Sequence, residues 1–325
     1  MRMLSDIPAR LGLVCALLAS SITLARADDC ALKRLASLDT ITSSDGWSLI
    51  PVKIENTPAY LAVDLANSNS ALSETFARSM NLQFVTIEWQ NVRGYASAAK
   101  FAAHAGLDIG GVQAGSDFAL IPRLIGTDPR VAGILGAGFL EHFDVELDLA
   151  HHKINLFSKT HCPGKVVYWT AASQVAVMPF KVGEGLTISA KLDGILMDAQ
   201  VSPASSGLSF NPRIARTEFR DVFTEKRLTE PSVPPANMSP YATSSSYPAL
   251  HLHSLELSGL VIGNPAPEMM ECNEFSPYRS DDLGDHLRDC SDLPELLIGR
   301  SELEKLRIYV ASDEHVMYAT ASGAN

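Results

Sequence analysis

Apolar and polar residues alternate along Val52-Lys53-Ile54-Glu55, reverse at Asn56, and return in an apolar run that closes on Leu61-Ala62-Val63. A period of two marks a strand, and the Asn at the reversal suits a tight hairpin turn. A small-polar loop follows. Then Ser73, with Phe76, Ala77 and Met80 at helical spacing, predicts a short capped helix. The same succession appears again much later: Ala190-Lys191-Leu192-Asp193 reverses at Gly194 and returns to Val201, and Asn211-Pro212 opens a second helix. There Asn211 is the cap and Pro212 stands at the first helical position, where a missing N–H costs nothing.

The two successions are copies. Shifted by 138 residues, Val63-Asp64-Leu65-Ala66 meets Val201-Ser202-Pro203-Ala204 without a gap. A second match has an offset of 163: Ile134-Leu135-Gly136 meets Leu297-Ile298-Gly299, Phe143 meets Leu306, and Val145 meets Ile308. Between these landmarks each copy holds a further strand candidate, Gly106–Gly110 and Ser254–Ser258. Landmarks repeated in one order predict two tandem β lobes with short helices. The lobes run from 28 to 160 and from 161 to 325, joined near His161-Cys162-Pro163-Gly164. The helix–strand alternation of a parallel α/β sheet is missing from both.

Leu61-Ala62-Val63-Asp64-Leu65-Ala66-Asn67-Ser68 and Gly133-Ile134-Leu135-Gly136 resemble the retropepsin-like and pepsin-like aspartic proteases, and the stretch from Gly133 to Phe157 looks especially close to bacterial exported members. In that family each lobe carries an apolar strand ending in Asp-Thr/Ser-Gly and, later, an apolar-apolar-Gly strand. The resemblance implies a mainly β, pepsin-like bilobal fold. It also implies a pair of aspartates that share a proton and activate one water, since close like charges push the two pKa values apart.

Measured against that pattern the chemistry is degraded. Asp64 is retained, but Leu65 and Ala66 stand where the bracing hydroxyl and the glycine belong. In the second copy Ser202, Pro203 and Ala204 replace the whole triplet; a serine does not ionise usefully, and proline has no N–H to donate. The expectation is a non-catalytic homologue that binds an extended peptide or protein partner between its lobes, as a monomer. One alternative is an active endopeptidase in which Asp198 serves Asp64 as an unusual second acid. Another is a structural or assembly protein whose cleft is filled by its own Pro231 to Pro248 loop.

Other features refine the setting. Residues 1–27 read as a cleavable export signal: Arg2 and Arg10, an apolar run from Leu11 to Leu24, then Ala25-Arg26-Ala27. That run is shorter than the about 20 residues of a spanning helix, and no later stretch is long and apolar enough. The expected location is therefore the periplasm or the exterior. The whole chain has a net charge of −11; without the signal's three Arg and one Asp it is −13, which argues against nucleic acid or anionic membrane as partner. The four remaining cysteines suit disulfides in an exported chain. Of three possible pairings, Cys30–Cys162 and Cys272–Cys290 is favoured because each pair brackets one lobe or one loop. No C-x-x-C half-site supports zinc, and no cofactor or metal is expected. His251-Leu252-His253 puts two imidazoles on one face of a strand without an obvious third ligand, and His151-His152 reads as a solvated turn. Asp281, Asp282, Asp285 and Asp289 do not have EF-hand spacing.

Overall fold

The computed structural model describes residues 30–90, 99–122, 128–171, 174–183, 185–219, 252–270 and 293–323. The chain opens with β1 (Arg34–Asp39) and the two-residue β2 (Ile41–Thr42), then forms the expected hairpin from β3 (Ser48–Ile54) and β4 (Thr57–Asp64). Glu55 and Asn56 make its turn with φ of 48° and 66°, a left-handed pair that matches the twist of the flanking strands. β5 (Ala71–Ser73) leads into α1 (Glu74–Ser79), capped by the Ser73 hydroxyl, which accepts from the N–H of Phe76. β6 (Phe84–Gln90), β7 (Ala99–Ile109) and β8 (Val112–Ile121) form an antiparallel meander. β9 (Val131–Gly136) then threads between β4, to which it is parallel, and β5, to which it is antiparallel. β10 (Asp144–Asp148) and β11 (Lys153–Phe157) complete this half.

The second half repeats the plan. β12 (Ala176–Val182) precedes the hairpin of β13 (Leu186–Leu192) and β14 (Ile195–Val201), whose turn residues Asp193 and Gly194 have φ of 48° and 84°. β15 (Ser209–Phe210) leads into α2 (Pro212–Glu218), with Asn211 as its cap. β16 (Ser254–Leu257) and β17 (Leu260–Gly263) form a shorter hairpin, followed by β18 (Glu268–Met269). β19 (Leu296–Ile298) runs between β14 and β15 as β9 runs between β4 and β5. α3 (Arg300–Leu303), β20 (Leu306–Ala311) and β21 (Val316–Ala321) close the chain's described part.

The architecture is mainly β, a two-lobed pepsin-like arrangement, and the halves meet in one continuous sheet. Its central strands are β10 and β20, paired antiparallel with Val145 opposite Val310, Glu146 opposite Tyr309 and Leu147 opposite Ile308. The flanking order, β1-β11-β10-β20-β21-β12, is the same read from either end under the repeat. The approximate two-fold axis thus passes between Glu146 and Tyr309. Both residues are fully buried there. Cys30 and Cys162 form a disulfide that ties the start of the first half to the segment leading into the second. Among the described residues no helix is long and apolar enough to cross a membrane.

Candidate functional site

The end of β4 and the end of β14 bring the two triplets together. Asp64 and Ser202 are both 0% exposed, and the Ser202 hydroxyl donates to Asp64 Oδ1 at 2.8 Å. Oδ1 also accepts from the N–H of Ala66 at 3.1 Å, and Oδ2 accepts from the Asn67 side-chain amide at 2.7 Å. Burial pushes the Asp64 carboxyl above the ordinary aspartate range, against the opposing pull of the hydrogen bonds from Asn67, Ser202 and Ala66. Leu65, Ala66, Pro203 and Ala204 are buried as well.

The loops are held by matched backbone bonds. Ala137 and Gly138 donate to the carbonyls of Asn67 and Ser68 at 2.6 and 2.8 Å; Arg300 and Ser301 donate to those of Ser205 and Ser206 at 2.8 and 3.1 Å. Each pair begins one residue after a glycine that needs its lack of a side chain. A Cβ on Gly136 would lie 2.5 Å from the Asn69 carbonyl, and one on Gly299 would overlap the carbonyl of Gly207.

A second pair of bonds crosses between the halves. The N–H of Ser48 donates to the Pro203 carbonyl at 3.0 Å, and the N–H of Leu186 donates to the Leu65 carbonyl at 2.7 Å. Leu65 and Pro203 are the middle triplet residues, whose side chains cannot brace the loops by hydroxyl. Their carbonyls do so instead, and a proline loses nothing in that role. The third residues add apolar contact: Ala204 joins Trp47, Leu49, Ala62 and Ile134 of the first half, and Ala66 joins Met270 and Leu297 of the second.

No family model and no curated protein matches this chain. Among solved structures it is similar to basic 7S globulin from soybean, at 12% identity and a TM-score of 0.46, over 91% of this chain and 98% of that one. So weak a likeness carries no argument about activity, and the fold rests on the strand order described above.

The structure does not bring Asp198 to Asp64. Asp198 lies on an exposed position of β14, opposite Ser189, and its N–H is bonded to the Glu295 carboxylate at 2.9 Å, while Ser202 is buried. His253 precedes β16 rather than lying within it; its ring faces Asp193 Oδ2 at 3.1 Å. His151 is exposed yet paired, with Nδ1 2.7 Å from Asp148 Oδ1, and His152 takes a left-handed turn conformation. Among the described residues no group of three or more His, Cys, Asp or Glu is arranged to hold a metal. The export segment, the Pro231 to Pro248 loop, His251, Cys272, Cys290 and the acids Asp281, Asp282, Asp285 and Asp289 lie outside the described residues.

Three contributors were missed by reading the triplets alone. Asn67, three residues beyond Asp64, was legible as a nearby donor. Ser48 and Leu186 share the 138-residue offset, and their role follows only once the loops are seen to cross. Trp47 is replaced at the equivalent position by Gly185, where any Cβ would strike the backbone of Ala66. The register row Leu49-Ala62-Ile134-Ala71-Ala119 is apolar in the first half; its counterpart is Thr187-Gln200-Leu297-Ser209-Glu268. The halves share a backbone plan and differ in the chemistry of that face.

Proposed function

We propose that this chain is a non-catalytic homologue of the aspartic proteases, exported to the periplasm or the exterior, whose lobes at 28–160 and 161–325 hold an extended peptide or protein segment between them. The observation that carries this reading is the contact of Asp64 with Ser202. At the place where the resemblance calls for two carboxylates sharing a proton, one carboxyl receives a hydroxyl hydrogen bond and is sealed from water. A lone buried acid has no second carboxyl with which to share a proton. The test is incubation of the protein, beside Asp64→Asn, with an unbiased peptide mixture from acid to neutral pH, together with selection of binders from a displayed peptide library. The expected result is saturable binding without cleavage. Cleavage that disappears in Asp64→Asn would reject the non-catalytic reading.

The complete burial of all six triplet residues also favours a second reading, an assembly protein in which the loops serve only to join the halves. Failure to select any saturable peptide ligand would favour that reading over peptide capture.

A further inference from the structure

The outer face of the second half carries a row of four residues in strict register across four neighbouring strands. Leu196 on β14 lies opposite Lys191 on β13, Lys191 lies opposite Glu256 on β16, and Glu256 lies opposite Val261 on β17. All four point away from the core, because Met197, Ala190, Leu192, Leu255, Leu257, Leu260 and Ile262 occupy the alternating inward positions. The outer members are conspicuously unburied: Leu196 is 67% and Val261 61% exposed. The inner members form an ion pair, Lys191 Nζ to Glu256 Oε1, at 3.3 Å. Exposed Val177 and Pro179 border the same face in a groove beside Lys191 and Leu196.

The order across the strands is apolar, positive, negative, apolar. Such a row is complementary to itself. A two-fold axis parallel to the strands, midway between β13 and β16, reverses the row and turns it face to face with its own copy. Leu196 then meets the partner's Val261, and Lys191 meets the partner's Glu256, each contact occurring twice as an isologous interface requires. Rotation about any such axis leaves no like charges opposed. We propose that this face is the contact surface of a homodimer in which the four charges join in one network flanked by two apolar pairs. This goes beyond the reading of the lobes as a peptide-binding pair and does not depend on it.

The size of the patch sets the strength. Three strand spacings are about 14 Å wide, and the strands here are four to seven residues long. The contact is smaller than the about 800 Å² per partner of a standard stable interface. The dimer is accordingly concentration-dependent. Its specificity comes from the charge order, since a misdocked copy places Lys191 against Lys191 or Glu256 against Glu256.

The test is sedimentation velocity on the full chain from micromolar to millimolar concentration, with charge-swapped variants. Wild type is expected to pass from monomer to dimer. Lys191→Glu alone and Glu256→Lys alone each oppose like charges and remain monomeric. An equimolar mixture of these two variants forms a heterodimer, because each supplies the charge that the other lacks, and the double swap on one chain dimerises again. Leu196→Ser weakens the wild-type dimer without changing the charge order. The positions are surface-exposed, and circular dichroism checks that each variant is folded. A wild type that stays monomeric at every concentration overturns the proposal. So does a dimer that ignores both single swaps and Leu196→Ser, which would place the contact elsewhere.

Discussion

The hydroxyl of Ser202 donates to Asp64 Oδ1 at 2.8 Å across 138 residues, the very offset at which the two halves of the sequence superpose. Two residues that occupy equivalent places in the repeat thus meet in space. Ser202→Ala removes a hydrogen bond to a buried carboxyl and is expected to cost about 1.5–3 kcal/mol of stability. Chemical denaturation of the variant and wild type measures this. An unchanged midpoint would mean that the contact contributes nothing to the joint between the halves.

Asp64 itself makes a pH-dependent contribution. Burial raises its pKa in the folded chain above the unfolded value. A group shifted upward stabilises the fold most at pH below its unfolded pKa, and that contribution is lost as pH rises through the folded pKa. Asp64→Asn cannot ionise, so its stability relative to wild type is expected to improve as pH rises from the acid range toward neutrality. Thermal melts of both proteins at a series of pH values give the slope. A difference that stays constant, or moves the other way, contradicts the raised pKa.

Ala66 and Ala204 occupy equivalent positions of the two halves, and each methyl packs into an apolar cluster of the opposite half. Ala204→Gly removes a buried methyl and adds backbone freedom to the unfolded chain. The two effects together amount to about 1–2 kcal/mol of destabilisation. The change should weaken the global fold without creating cleavage activity, which differential scanning calorimetry and a peptide assay check separately.

Much of the frame was legible because two lobes must satisfy the same backbone requirements. The hairpin turns at Asn56 and Gly194, the caps Ser73 and Asn211, and Gly136 and Gly299 each meet a local demand that only a few residue types meet. They therefore recur at fixed offsets and show in the sequence. The Cys30–Cys162 bridge was legible because both cysteines sit at the ends of one repeat. The cross-lobe bonds from Ser48 and Leu186 were not, since a backbone N–H leaves no mark on residue identity. Asp198 shares strand parity with Ser202, yet it is exposed while Ser202 is buried against Asp64, a difference that alternation alone does not show.

The asymmetry between the two register rows yields a stabilising substitution. Ser209 is fully buried, and its hydroxyl has no hydrogen-bond partner among the described residues, whereas Ala71 occupies the equivalent place in the first half. Copying the first half with Ser209→Ala removes an unsatisfied polar group at almost no cost in volume. The expected gain is about 1 kcal/mol. A loss of stability instead would show that the hydroxyl is satisfied in solution, for which a bound water is the simplest agent.

At the approximate two-fold axis, Glu146 is fully buried and takes three donors: Arg307 Nε at 2.6 Å, the Asn155 amide at 2.7 Å and the Tyr168 hydroxyl at 2.8 Å. The guanidinium of Arg307 also lies over the Trp169 ring, 4.8 Å from its centroid. Burial, followed by the Glu146 hydrogen bond, pushes the Tyr168 phenol up to about 12, so it remains a donor throughout the neutral range. Arg307 comes from the second half and Glu146 from the first, which makes their pair an inter-lobe link inside the shared sheet. Arg307→Met would leave the Glu146 charge buried without its counter-ion, at an expected cost of about 3–5 kcal/mol. Glu146→Leu combined with Arg307→Met removes both charges and is expected to be less destabilising than Arg307→Met alone, since Asp148, 3.6 Å from Arg307 Nε, keeps its contact with His151. A double-mutant cycle by denaturant unfolding decides it. Additive losses would show that the two side chains act independently, and that β10 and β20 are joined by their backbone ladder and apolar packing alone.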